Sequence, residues 1–302
     1  MPEPQSVRLA TRASPLALTQ ARLVARALEG ARPGLTVEIV EVRTAGDRGA
    51  HAGDKSRWVA EIEDLLIDGD ADAAVHSAKD VPGELRDGLA IVAVPERADP
   101  RDSLCGKARS LAELAPGAVV GISSLRRRAA LLAARPDLSV EDLRGNVDTR
   151  LARLAEGSYD TIVLAQAGLA RLGRHEGTPL AVEQMTPAPG QGCLVLEARV
   201  DRKDVRELAA GVQDASAATC LWAERAAVVA LGATCHTPVG AHARLRESRL
   251  TLSAFAGLPD GSEWVRDQLE GDARDPVALG RTVAQRLRSA GAGELLAAAA
   301  RA

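Results

Sequence analysis

The chain has 302 residues, 46% of them hydrophobic, and 38 Lys and Arg stand against 41 Asp and Glu for a net charge of −3. That length suits about two to three domains with ordinary cores, while the near-balanced charge and 2% aromatic content argue against a nucleic-acid surface. The opening MPEPQSVRLATRASPLAL lacks an apolar core of signal-peptide length, and no run nears the roughly 18 apolar residues of a membrane span, so the cytoplasm is the expected location.

In chain order, Val7 to Ala10 predicts a buried strand running into Thr11-Arg12-Ala13-Ser14-Pro15. Ser14 suits a helix N-cap and Pro15 the first helical position. A helix to about Gly30 follows, with Leu16, Leu23, Val24, Ala27 and Leu28 as its apolar stripe. Val37 to Val42 is the next strand, residues 43–57 a polar loop, and 58–68 a helix. Ala73 to Val75 is a short strand that breaks into His76-Ser77-Ala78-Lys79-Asp80-Val81-Pro82, and Leu89 to Val94 is another. From Val119 the opening pattern repeats: strand, Ile122-Ser123-Ser124, helix, then ARPDLSVEDL where the first copy has ARPGLTVEIV. Strands alternating with helices predict parallel-rich sheets with right-handed crossovers, and ligands then gather at the strand ends. A generic helix stop followed by a strand would leave the same five-residue echo.

Thr161 to Ala165 is a further strand. Pro187-Ala188-Pro189-Gly190-Gln191-Gly192 marks the clearest break, after which Cys193 to Ala198 predicts a strand that returns to the first lobe. From about 215 an Ala-rich helix runs to Leu231, followed by a Gly-bounded turn with Cys235 and His236. Alternating segments at 241–247, 249–256 and 262–269 and helices at 275–289 and 292–301 complete the chain. The expected fold is α/β: two lobes with parallel-rich mixed sheets, 1–95 plus 193–211 and 99–187, and a small C-terminal α+β domain, 215–302.

Three places carry chemistry. Arg126 and Arg127 follow Ser123 and Ser124 at one helix start, and Arg144 and Arg150 flank a second. Helix N-termini already favour anions, and guanidinium forks match carboxylates, so a multiply anionic ligand is one reading; solvated helix faces are the other. Ser77, Lys79 and Asp80 offer a hydroxyl, a cation and a carboxylate after a strand end. There Asp80 could handle a proton or face a developing cation, or simply turn the chain before Pro82. Cys235 reads as a buried thiol, a metal half-site, a nucleophile beside His236 or an attachment thiol. Cys220 and His242 supply no compact second ligand pair, so no metal is expected. Adjacent residues rarely face each other as nucleophile and base.

The separated motifs LATRASPLALTQA, VHSAKDVP, DPRD, GISSLRRR, LRGNVDTRL, YDTIVLAQAGLARLG, PAPGQG, ERA and GATCHTPVG resemble the porphobilinogen deaminase (hydroxymethylbilane synthase) family over nearly the whole length. The resemblance implies periplasmic-binding-protein-like lobes and a transferase of porphyrin and haem biosynthesis. Such an enzyme condenses four porphobilinogen units, with loss of ammonia, into a linear tetrapyrrole. It implies a dipyrromethane cofactor in thioether linkage to Cys235 and Asp80 as the catalytic carboxylate. Lys79, Ser77, Ser123, Ser124, Arg126, Arg127, Arg144 and Arg150 would hold the cofactor, and Arg12, Ser14, Arg171 and Lys55 the substrate. A monomer without nucleic-acid or membrane partners is the matching expectation. Two departures stand out. The family's Gly-Lys-Gly-aromatic stretch is shortened to HAGDKSRW, leaving Lys55 as its lysine and Trp58 in the aromatic position, and Ile122 stands where the family has Thr. A degenerate paralogue or a non-catalytic polycarboxylate binder of the same fold is the alternative.

Overall fold

The computed structural model describes residues 6–42, 56–234 and 236–301. The chain opens with β1 (Ser6–Arg12), α1 (Pro15–Ala31), β2 (Thr36–Val42), α2 (Ser56–Asp68) and β3 (Ala73–Ser77). A 3-10 turn, Ala78–Asp80, leads on to β4 (Leu89–Ala93) and β5 (Asp102–Gly106), and a second, Leu111–Glu113, follows β5. Next come β6 (Val119–Gly121), α3 (Leu125–Ala134), β7 (Ser139–Glu141), α4 (Val147–Ala155), β8 (Thr161–Ala165), α5 (Gln166–Arg171) and β9 (Thr178–Pro179). The remainder is β10 (Leu194–Arg199), α6 (Lys203–Ala210), α7 (Ala215–Leu231), β11 (Val239–Arg246), β12 (Arg249–Gly257), β13 (Trp264–Asp272), α8 (Pro276–Ser289) and α9 (Ala292–Ala299). β5, β9 and α6 are the elements the sequence reading did not anticipate. The two helices of the echo differ in length, 17 residues in α1 and 10 in α3.

The chain divides into two compact units, Met1–Ala98 with Cys193–Ala218 and Asp99–Gly192 with Thr219–Ala302. In the first, the strand order is β2-β1-β3-β10-β4, with β1 parallel to β2 and β3, and β10 antiparallel to both its neighbours. Strand alternation sends Val7 and Leu9 to one core with Val24 and Leu28 of α1 and Leu208 of α6. Ala10 and Ala74 face Ile62 and Leu66 of α2. Each of these larger side chains contributes about 1.5–3 kcal/mol by leaving water.

In the second unit the α/β sheet runs β7-β6-β8-β5-β9. β6 is parallel to β7 and β8, and β5 is antiparallel to β8 and β9. The same unit holds an antiparallel sheet, β11-β12-β13, covered by α7 and α8 through Ala223, Ala227, Leu279, Val283 and Leu287. The segments expected as separate domains, 99–187 and 215–302, thus each have their own sheet within one unit. Phe255 of β12 is 1% exposed and packs into the core of the α/β sheet. Gly240 passes so close that a Cβ there would meet Thr186 O at 2.7 Å, and the Ala241 N–H donates to Pro187 O at 3.0 Å. Ile122 lies in the same core at 3% exposure, so its side chain packs inward and the missing hydroxyl is not a lost surface contact.

Candidate active site

In the first unit the residues expected to be functional sit at the C-terminal ends of parallel strands. β1 and β3 pair through Leu9↔Ala73 and Ala10↔Ala74, so Arg12 and Ser77 finish at one sheet edge. Ser14 takes an extended backbone and accepts the Ala17 N–H at 3.3 Å, starting α1 behind Pro15. Ser77 leads into the Ala78–Asp80 turn, where Ala78 N–H donates to Cys193 O at 3.1 Å and Val81 N–H to Ala78 O at 3.3 Å. Ser77, Lys79 and Asp80 are half-buried, as are Arg12 and Ser14.

The second unit repeats this logic at the ends of β6, β7 and β8. Ser124 caps α3, accepting the Arg127 N–H at 3.4 Å, while Ser123 is exposed. Asn146 caps α4, accepting the Thr149 N–H at 2.8 Å. Gly145 just before it has φ of 116°, and a Cβ there would meet the Thr149 side chain at 2.9 Å, so the RGN turn requires glycine.

Asp102, at the start of β5, is fully buried and collects the arginines. Arg126 Nη1 donates to its Oδ2 at 2.8 Å and to Thr186 O at 2.7 Å. Arg127 donates to its Oδ1 from Nε at 3.0 Å and Nη2 at 2.8 Å, and to Val163 O at 3.0 Å. Gln191 Nε2 adds a bond to the same oxygen at 2.9 Å and one to Pro100 O at 2.7 Å. Burial alone would raise the Asp102 carboxyl, but Arg126 and Arg127 override it and hold the group far below the usual carboxylate range. Two guanidinium groups on one carboxylate leave an excess positive charge. Arg150 adds to it: half-buried, it donates from Nε to Gly145 O at 2.8 Å. Burial, and then the charge of Arg127, lower its pKa to about 10.

The expected ligand residues therefore differ in kind. Arg126 and Arg127, with side chains 4% and 8% exposed, are sunk onto Asp102 and are not free-standing clamps. Arg144 is exposed and donates to exposed Asp142 at 3.2 Å, a pair worth under about 1 kcal/mol. Arg171 is half-buried and donates to Gly192 O at 2.7 Å. Arg135 is half-buried. It bonds Leu111 O, Leu114 O and Asp137 at the end of α3.

Cys235 and Lys55 lie outside the described residues. Around the first, Thr234 N–H donates to Thr237 Oγ1 at 2.9 Å and His236 N–H to Thr234 Oγ1 at 3.3 Å, with His236 exposed. Glu224 of α7, fully buried, accepts the Gly190 N–H and the Ala243 N–H at 2.7 Å each. The crossover and the first strand of the C-terminal sheet are thereby tied to one carboxylate. Cys105, Cys193 and Cys220 are buried, and burial pushes the Cys105 thiol up to about 12, the behaviour of an inert thiol. Among the described residues no His, Cys, Asp or Glu group is arranged to hold a metal ion, and no helix is long and apolar enough to cross a membrane. A cationic excess at strand ends fits a polycarboxylate such as dipyrromethane.

Sequence reasoning quoted DPRD, PAPGQG and ERA without giving Asp102, Gln191 or Glu224 a role. The usable signal was charge complementarity: an Arg-Arg pair entering a helix needs a buried carboxylate somewhere.

Residues 7–207 match the family described as porphobilinogen deaminase, dipyromethane cofactor binding domain, and residues 218–289 match the porphobilinogen deaminase C-terminal domain. A porphobilinogen deaminase of Roseiflexus sp. (strain RS-1) is 46% identical over 301 residues, covering 97% of this chain and 99% of that protein. One from Brevibacillus brevis is 44% identical over 300 residues, covering 96% of each. Among solved structures, the methionine binding protein MetQ aligns with 14% identity and a TM-score of 0.45 over 70% of this chain and 91% of its own. The Bordetella pertussis BvgS periplasmic VFT2 domain aligns with 18% identity and a TM-score of 0.41, over 69% and 86%. With both family domains matched in order and relatives above 40% identity along nearly the full length, the chain belongs to the porphobilinogen deaminase family.

Proposed function

We propose that this chain condenses four porphobilinogen units head to tail into hydroxymethylbilane, releasing one ammonia per unit. The observation that carries the reading is the cationic excess in the second unit: Arg126 and Arg127 share the single carboxylate of Asp102, and Arg150 adds a third guanidinium against Arg127. Each pyrrole brings an acetate and a propionate, so the ligand is a polycarboxylate whose burial requires many paired cations.

Cys235 would hold dipyrromethane through a thioether, and the group would supply the nucleophilic pyrrole carbon on which the chain grows. Arg144, Arg150 and Arg171, with Lys79, Ser77, Ser123 and Ser124, grip carboxylates, and Arg126 and Arg127 contribute charge from behind. Arg12, Ser14 and Lys55 orient porphobilinogen. As its C–N bond breaks and ammonia leaves, positive charge develops on the pyrrole methylene, and the Asp80 carboxylate faces that charge. Asp80 then accepts, at a carboxylate oxygen, the proton that the attacking pyrrole carbon gives up once the C–C bond has formed. Preorganised donors that stay fixed while carboxylates are released and regripped would let the chain advance.

Porphobilinogen consumption and ammonia release by the purified protein test the reading. One ammonia per porphobilinogen consumed, with a linear tetrapyrrole released, is expected. Porphobilinogen bound but not consumed would instead favour a polycarboxylate-binding protein, and enzyme–substrate complexes that never release product a degenerate paralogue. The same reading has the chain working as a cytoplasmic monomer, for which sedimentation as a 31.5 kDa species is expected and a stable dimer would be contrary.

A further inference from the structure

The first unit buries a second polar cluster that the mechanism above does not use. His76 Nε2 lies 3.1 Å from Glu197 Oε2, with side chains 5% and 0% exposed. Register explains the meeting. β10 runs antiparallel to β3 with Val195 opposite His76 and Glu197 opposite Ala74, so the two polar side chains are diagonal neighbours on one face. That face packs against α2, where Ala74 meets Ile62 and Leu66. Glu63 of α2 is 6% exposed, and burial followed by the charge of Glu197 raises its carboxyl, with His76, Arg86 and the Arg86 backbone pulling the other way.

Stability does not account for this group. Burying ionisable side chains is costly, and well-packed apolar residues in place of a buried pair are often neutral or better. Among the described residues neither His76 Nε2 nor either Glu197 oxygen has a well-aligned hydrogen bond, so the pair lacks the extra donors that would offset desolvation. Its position is informative. His76 immediately precedes Ser77 and stands four residues before Asp80. The following turn is held by Ala78 N–H to Cys193 O at 3.1 Å. Both grips come from the β10 segment, one through a side chain before the turn and one through the backbone within it.

We infer that His76 is a positioning residue for Asp80, acting through its contact with Glu197 to fix the strand end from which Ser77, Lys79 and Asp80 are presented. The inference rests on the catalytic assignment of Asp80 proposed above. Neither residue touches substrate; their effect is on the placement of a group that does, and a misplacement of about 1 Å can cost about 100-fold in rate.

The test compares wild type with Glu197→Gln, which keeps the side-chain volume, and with His76→Leu/Glu197→Leu, which replaces the pair by apolar bulk. Melting, cofactor loading by intact mass, and the kcat and KM for porphobilinogen are measured for each. Both variants are expected to melt near wild type and to carry dipyrromethane. Their kcat should fall by about tenfold to a hundredfold, with KM changed by less than about twofold. If the double variant fails to fold, Glu197→Gln alone decides. Folded variants with wild-type kcat would overturn the inference while leaving the proposed function intact. A wild type that consumes no porphobilinogen would sink the functional reading and this inference with it.

Discussion

The two α/β sheets of this chain are built alike and differ in one buried charge. Each places an antiparallel strand fourth in order, β10 in one and β5 in the other, and each such strand carries a fully buried carboxylate, Glu197 and Asp102. Asp102 meets two arginines and an amide, all through hydrogen bonds of 3.0 Å or less. Glu197 meets one histidine at 3.1 Å, beside a second carboxylate, Glu63, which burial and then the charge of Glu197 push upward. The first arrangement has surplus positive charge and suits holding anions. The second has none to spare and lies beside the turn that bears Asp80. Under the proposed function, one topology serves as a carboxylate grip in one unit and as a mount for a catalytic carboxylate in the other.

The contrast can be broken most sharply at Asp80. Asp80→Asn keeps shape and removes the negative charge, so turnover should fall by about 10²–10⁴-fold with melting unchanged. Full turnover in that variant would refute its role. Next in size is Asp102→Asn, which leaves two buried guanidinium groups short of their counter-charge and should cost about 3–5 kcal/mol in denaturant unfolding. The pH dependence follows from the same residue. Its folded carboxyl is held below the unfolded value, near 4, so its stabilisation is complete above that value and fades as pH falls below it. Acid unfolding of wild type should steepen below about pH 4 relative to Asp102→Asn; parallel acid limbs would contradict the pairing.

A smaller effect is expected at Arg150. Arg150→Gln removes repulsion with Arg127, so the ligand-free protein should be no less stable, while KM for porphobilinogen rises about tenfold for one lost charge-assisted bond. A stability loss without a KM change would make Arg150 structural. Arg144→Ala should shift stability by less than about 1 kcal/mol, because its ion pair is exposed.

Much of this was legible in the sequence because strand and helix periods are local. Ser14 announced its cap and Pro15 the first helical position behind it, and the ARPxL echo announced the second sheet. β5 escaped because Asp102–Gly106 is short and antiparallel, inserted between strands far away in sequence. The site was legible as a set of charges and not as a set of pairs. Arg126 and Arg127 read as anion ligands with no buried partner named, because nothing near them in sequence reveals Asp102, 24 and 25 residues away. His76 and Glu197, 121 residues apart by number, meet only once β10 returns beside β3.

The central claim is that Cys235 carries a pyrrole primer gripped by the arginine-rich strand ends. Intact-mass measurement of protein made with porphobilinogen available, beside Cys235→Ala made identically, tests it most directly. The account predicts wild-type protein heavier than its sequence by two pyrrole units and a variant at its sequence mass. A wild type at its unmodified sequence mass, or an adduct that persists in Cys235→Ala, would contradict it.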